Sequence, residues 1–191
     1  MDEISIMFTI KSWYVLLPLF IGVLIGFIFW INKRKKTVSI MHYVTLVSFV
    51  IYLLCVIHLV FFPIGVNLGR YANQTPWYKS INAIPIVTID IKTFLLNILM
   101  MLPLGVYIPL LIKNMAGIKK AATLGLMFSL SFELIQLLIR VTLGSGRSSD
   151  INDIIANTAG TVIGFMIINK LYKISLFKKI FQHLELQIME V

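Results

Sequence analysis

Charge is scarce in this chain. Of 191 residues only 13% are Asp, Glu, Lys or Arg, where a soluble domain carries about 25%. Acids are scarcest of all, eight against seventeen bases, for a net charge of +9. The single cysteine, Cys55, cannot form an intramolecular disulfide and is expected to be a packing residue. None of the three histidines can be placed beside Glu133, Asp150 and Asp153, which argues against a metal site there. No serine elbow, HExxH helix or phosphate-binding loop is present. What fills the chain instead is apolar: 59% of residues are hydrophobic and the mean hydropathy is +0.92. Water cannot accommodate that surface in a soluble enzyme, and disorder requires the opposite composition. The chain reads as an all-α polytopic integral membrane helical bundle.

Five runs come close to the roughly 20 residues that cross a bilayer: 13–31, 40–62, 94–112, 121–139 and 154–171. Asp2 and Glu3 precede the first base, Lys11, so the first run is expected to be retained as a helix and not cleaved as a signal peptide. The basic residues group as Lys33, Arg34, Lys35 and Lys36, then Lys113 with Lys119 and Lys120, then Lys170 with Lys173, Lys178 and Lys179. All three groups fall on one side of the membrane, which the positive-inside rule makes cytoplasmic. The expected orientation is N-out and C-in, and the same clustering argues against nucleic acid as the partner. Residues 1–173 form the transmembrane domain. Residues 174–191 form a tail with Phe177, Ile180, Phe181, Leu184 and Ile188 at helical spacing, expected as an interfacial amphipathic helix.

The informative residues are the polar ones at membrane depth. A charge at the centre of a membrane helix costs about 2.5–3.5 kcal/mol, so Glu133, inside LMFSLSFELIQLLI, calls for a partner or a function. It shares a helical face with Ala122, Ser129, Gln136 and Arg140. On the last span Asp153, Asn157, Gly160 and Gly164 share a face, and Ala156, Gly160 and Gly164 make a small-xxx-small pattern for helix packing. Asn97 lies at the outer start of the third span, and the long loop 63–93 carries Arg70, Asn82 and Asp90. Its stretch 81–91 is apolar enough to dip into the outer leaflet. Three helices thus bring polar groups toward one leaflet. The structural alternatives are that Asp153 caps its helix, that Asn97 and Asn157 act as interhelical glue, that Glu133 pairs with Arg140 or Arg147, and that Ser129 and Ser131 bond to their own helix.

The segment FELIQLLIRVTLGSGRSSDINDIIANTAGTVIG resembles the VanZ-like family of bacterial membrane proteins. The likeness rests on an E-x-x-Q at Glu133 and Gln136, a nearby Arg147, and the run of Asp150, Asp153, Asn157, Gly160 and Gly164. Upstream it adds Asn82 with Pro85, followed by Ile86 where an aromatic is usual, then Asn97, Pro103 and Gly105, and Arg70 as a loop arginine. It covers about residues 40–170. The resemblance implies a part in resistance to teicoplanin, a lipid-tailed glycopeptide, at the bacterial plasma membrane. The candidate site is therefore Glu133 and Asp153 in acid–base or hydrogen-bonding roles, with Arg147, Asp150, Gln136, Asn157, Asn97, Asn82 and Arg70 as binding residues. The expected partner is a membrane lipid, a lipid-linked envelope molecule or a lipoglycopeptide. The sequence leaves catalysis and binding equally open, and keeps a small ion-coupled carrier and a structural envelope subunit as alternatives.

Overall fold

The computed structural model describes residues 6–33, 40–69, 75–112 and 117–184. Arg70, the bases Arg34, Lys35, Lys36 and Lys113, and the tail past Leu184 lie outside the described residues. Helices α1 (Ser12–Lys33), α2 (Ile40–Phe61), α3 (Ile91–Leu111), α4 (Ile118–Leu143) and α5 (Ile151–Leu171) are each long and apolar enough to cross a membrane. A sixth helix, α6 (Ser175–Leu184), follows. It is short and amphipathic, with Phe177 and Phe181 stacked and Phe181 against Tyr172. Its last carbonyl, at Leu184, accepts from the Thr45 hydroxyl at 3.1 Å, which ties it to the start of α2.

Three of the helix ends that differ from the expected bounds trace to a cap. Helix α3 starts at Ile91 because the Asp90 carboxylate accepts from Lys92 N and Thr93 N. The Thr93 hydroxyl adds a third bond, and these donors hold the Asp90 carboxyl below its usual range. Helix α4 runs on to Leu143 and stops at Gly144, whose φ of +64° is left-handed and whose N–H bonds to the Arg140 carbonyl. Helix α5 starts at Ile151 because Asp150, not Asp153, is the cap, taking Asn152 N at 2.8 Å.

The connections hold two small sheets that hydropathy alone did not suggest. Strand β1 (Ile6–Ile10) pairs antiparallel with β2 (Ile64–Leu68), with Phe8 opposite Val66. Strand β3 (Ile81–Asn82) pairs parallel with β4 (Ser149–Asp150). The core joins α2, β2, α3 and α4 through Val56, Val60, Phe61, Ile64, Val66, Met101, Leu104 and Phe132. Helix α5 packs most closely on α3 and next on α4. Helix α1 is peripheral, with none of its span buried inside the chain. Cys55 is exposed on α2, not packed. That helix is apolar all round, so its periodicity could not choose a buried face.

Candidate functional site

The site begins with how α5 enters the bundle. From Glu133 to Leu143 helix α4 climbs ten residues, about 15 Å at 1.5 Å per residue. The chain then turns back, and Asp150 N donates to Glu133 Oε2 at 3.0 Å. Residues 144–150 therefore descend along α4 by nearly three turns before α5 starts. Non-helical backbone at that depth needs partners. Glu133 Oε2 supplies one, for Asp150 N, and the Ser149 hydroxyl adds a side-chain tie to the Glu133 carbonyl at 3.2 Å. Arg140 Nη1 supplies another, to the Arg147 carbonyl at 2.8 Å. Glu133 is thus the anchor of the returning loop. Among the described residues it forms no ion pair with Arg140 or Arg147.

Below this turn the facing helices are zipped by polar pairs. Asn97 Nδ2 on α3 donates to Asp153 Oδ1 on α5 at 2.7 Å. Asn157 Nδ2 donates to Ser129 Oγ on α4 at 2.9 Å, so Ser129 serves a neighbouring helix, while Ser131 bonds back to the Met127 carbonyl. Gln136 Nε2 donates to the Val60 carbonyl at 3.0 Å, and Arg147 Nη2 to the Phe62 carbonyl at 3.1 Å, which bind α4 and the loop to the end of α2. The buried face of α4 is Ala121, Gly125, Ser129, Phe132, Glu133 and Gln136, with Ala121 and Gly125 replacing Ala122 below Ser129.

These residues surround a cavity of about 510 Å³. Its polar lining is Glu133, Gln136, Arg147, Asp153, Asn157, Asn97 and Thr93. Its apolar lining includes Phe132, Val60, Met100, Leu59, Leu96 and Leu99. The last three leucines are each more than half exposed, so the cavity has an apolar rim on the outer surface of the bundle. Among the described residues, the buried Gln136 Oε1 and Asn157 Oδ1 have no partner, and the Asn97 bond engages one oxygen, Oδ1, of the Asp153 carboxyl. Carboxyls so placed can accept hydrogen bonds from a ligand or move a proton to and from it.

Six of the expected site residues therefore meet in one cavity. Asp150 and Asn82 do not line it. They lie across Glu133 in a separate, largely apolar crevice of about 270 Å³, lined also by Leu130, Leu134 and Ile154. There Asn82 Nδ2 donates to Asp150 Oδ2 at 3.0 Å and to Thr88 Oγ1 at 2.6 Å. Gly160 and Gly164 sit in the α3 interface, where an added Cβ would land on the carbonyls of Ile98 and Leu102. Sequence reasoning missed Asn152. It is 3% exposed, accepts from Ile86 N at 2.8 Å and donates to Thr88 Oγ1 at 3.1 Å, fastening the 81–90 loop to α5. The available signal was SSDIND, which carries more polar side chains than one cap uses.

The VanZ/LLP1 family model matches residues 49–176, about two thirds of the chain. The chain belongs to the VanZ/LLP1 family. No curated protein and no solved structure matches it. The family match takes in every cavity residue and leaves out the peripheral α1. Within VanZ/LLP1 terms, the fold delivers one polar cavity at the loop end of a five-span bundle.

Proposed function

We propose that this VanZ-like protein takes a lipid-like molecule of the bacterial envelope into its cavity, and so contributes to resistance against lipoglycopeptides such as teicoplanin. The observation that carries this reading is the combination of a polar interior with an apolar rim of Leu59, Leu96 and Leu99. An amphiphile can enter such a site sideways, its tail remaining among the lipids while its headgroup meets the polar groups. A carrier would need a path through the other half of the bundle. Past Thr161, whose hydroxyl returns to the Asn157 carbonyl, that half closes on Ile108, Ala121 and Phe165. A purely structural polar cluster would be internally satisfied, yet Gln136 Oε1 and Asn157 Oδ1 are not.

The test is Glu133→Gln. Its amide oxygen can still accept from Asp150 N, so the returning loop is kept and only the charge is lost. Membrane abundance should be unchanged, and protection against teicoplanin in a responsive strain should fall to that of cells lacking the gene. Asp153→Asn and Arg147→Gln should follow. Wild-type protection by all three would refute the site.

The reading also requires the loop end of the bundle to face outward. In a Cys55→Ser background, a cysteine at Ser148 should react with an impermeant maleimide on intact cells. A cysteine at Thr37 should react only after permeabilisation. The reverse pattern would put the cavity in the wrong leaflet.

A further inference from the structure

We infer that the cavity is built for a headgroup bearing a primary ammonium, and not for a phosphate. This rests on reading the cavity as an amphiphile site and names the chemistry that site selects. The argument is an inventory of donors and acceptors. Each of the three amides on the cavity wall spends an N–H inside the protein: Asn97 Nδ2 on Asp153, Gln136 Nε2 on Val60 and Asn157 Nδ2 on Ser129. The Val60 carbonyl can only accept, so it fixes which way the Gln136 amide faces. The buried acceptors left without a partner among the described residues of the wall stand on two facing helices, Gln136 Oε1 on α4 and Asn157 Oδ1 on α5; beside them lie the carboxyls of Glu133 and Asp153 and the remaining N–H groups of Arg147.

A phosphate has only acceptors to offer at neutral pH. It would meet two carboxyls and one cation, Arg147, which already spends a nitrogen on the Phe62 carbonyl. Like charges so close oppose its entry. A primary ammonium carries three donors and a positive charge. It would satisfy acceptors that are otherwise buried without partners, and it would offset the cost of holding two carboxyls away from water. A quaternary ammonium has the charge without the donors, and a sugar has donors without the charge. The cavity can therefore be interrogated with four simple probes.

The full chain, in phosphatidylcholine nanodiscs at pH 7, is titrated with dodecylamine, dodecyltrimethylammonium, dodecyl phosphate and dodecyl glucoside. Binding is read from the shift in thermal unfolding midpoint, with empty nanodiscs correcting for partition. Dodecylamine should bind at least tenfold more tightly than each of the others. Asp153→Asn keeps the acceptor for Asn97, and Glu133→Gln keeps the acceptor for Asp150 N, so both should fold and both should reduce that preference to less than twofold. If dodecyl phosphate binds best and Arg147→Gln abolishes it, the ammonium assignment falls while the amphiphile cavity stands. If the glucoside or the trimethylammonium compound matches dodecylamine, the need for charge or for donors, respectively, is refuted. If no probe responds to any cavity variant, the assignment and the cavity reading fall together.

Discussion

Gly164→Val should leave little folded protein in the membrane, whereas Gly22→Val, on α1, should accumulate as wild type. The contrast comes from what each Cβ would meet. Around Gly22 there is nothing within 4 Å. At Gly164 the new atom would fall on the Leu102 carbonyl, at Gly160 on the Ile98 carbonyl, and at Gly105 on the Thr161 carbonyl from the opposite side. The obstacle in each case is backbone, which cannot rotate away as a flexible side chain can. Overpacking a core costs about 1–3 kcal/mol and occasionally more; two helix backbones in contact put this case at the upper end. Lipid supplies no hydrophobic drive to re-form the interface, because tails are as apolar as leucine. The α3–α5 separation also sets the distance from Asn97 to Asp153, so any survivor should lose that cavity wall. Detergent-solubilised yield, and the unfolding midpoint of whatever is recovered, measure the effect. Equal yields for Gly164→Val and Gly22→Val would mean that α3 and α5 do not touch as described.

The same interface shows where the sequence stops being legible. Five spans could be read from length and hydropathy, because a bilayer imposes both. Glu133 and Asp153 could be read as candidate residues, because a carboxyl in an apolar run has few other reasons to be there. The small face of α5 was visible too, but periodicity says only that a close approach exists. It does not say which helix fills it, and the closest neighbour is α3, with Gly105 as the reciprocal notch. The split of Asn82 and Asp150 from the cavity was equally hidden, since it depends on the loop descending past Glu133. Strand β1 meets β2 across two intervening helices, a contact no local pattern encodes. Which acid caps α5 was hidden for a simpler reason: Asp150 and Asp153 both have the chemistry of a cap, and only the α3 amide shows that Asp153 is occupied elsewhere.

Asn152→Ala should free the 81–90 loop while sparing the helices. The loop turns at Ile86, whose φ of +70° is a conformation that a β-branched residue adopts at a cost of about 1–3 kcal/mol. The turn closes through Val87 N on the Pro85 carbonyl at 2.8 Å. Packing does not hold it there, for Ile84, Ile86 and Val87 are all exposed. What ties the turn to α5 is Asn152, through Ile86 N, Thr88 Oγ1 and, at 3.5 Å, the Ile84 carbonyl, while Asn82 braces the loop from within through Ile84 N and Thr88 Oγ1. Alanine deletes all three contacts, and each lost hydrogen bond costs about 0.5–1.5 kcal/mol. Strain and lost bonding act in the same direction, so amide exchange at 84–88 should accelerate by about tenfold or more, each factor of ten being about 1.4 kcal/mol. Amides of α4 and α5 should keep their protection, since the Asp150 cap and the Glu133 anchor are untouched. Asn152→Asp separates the contributions: it retains an acceptor for Ile86 N but no donor for Thr88 or Ile84, so its exchange should fall between wild type and alanine. Unchanged exchange at 84–88 in the alanine variant would show that the strained turn is held by something other than Asn152.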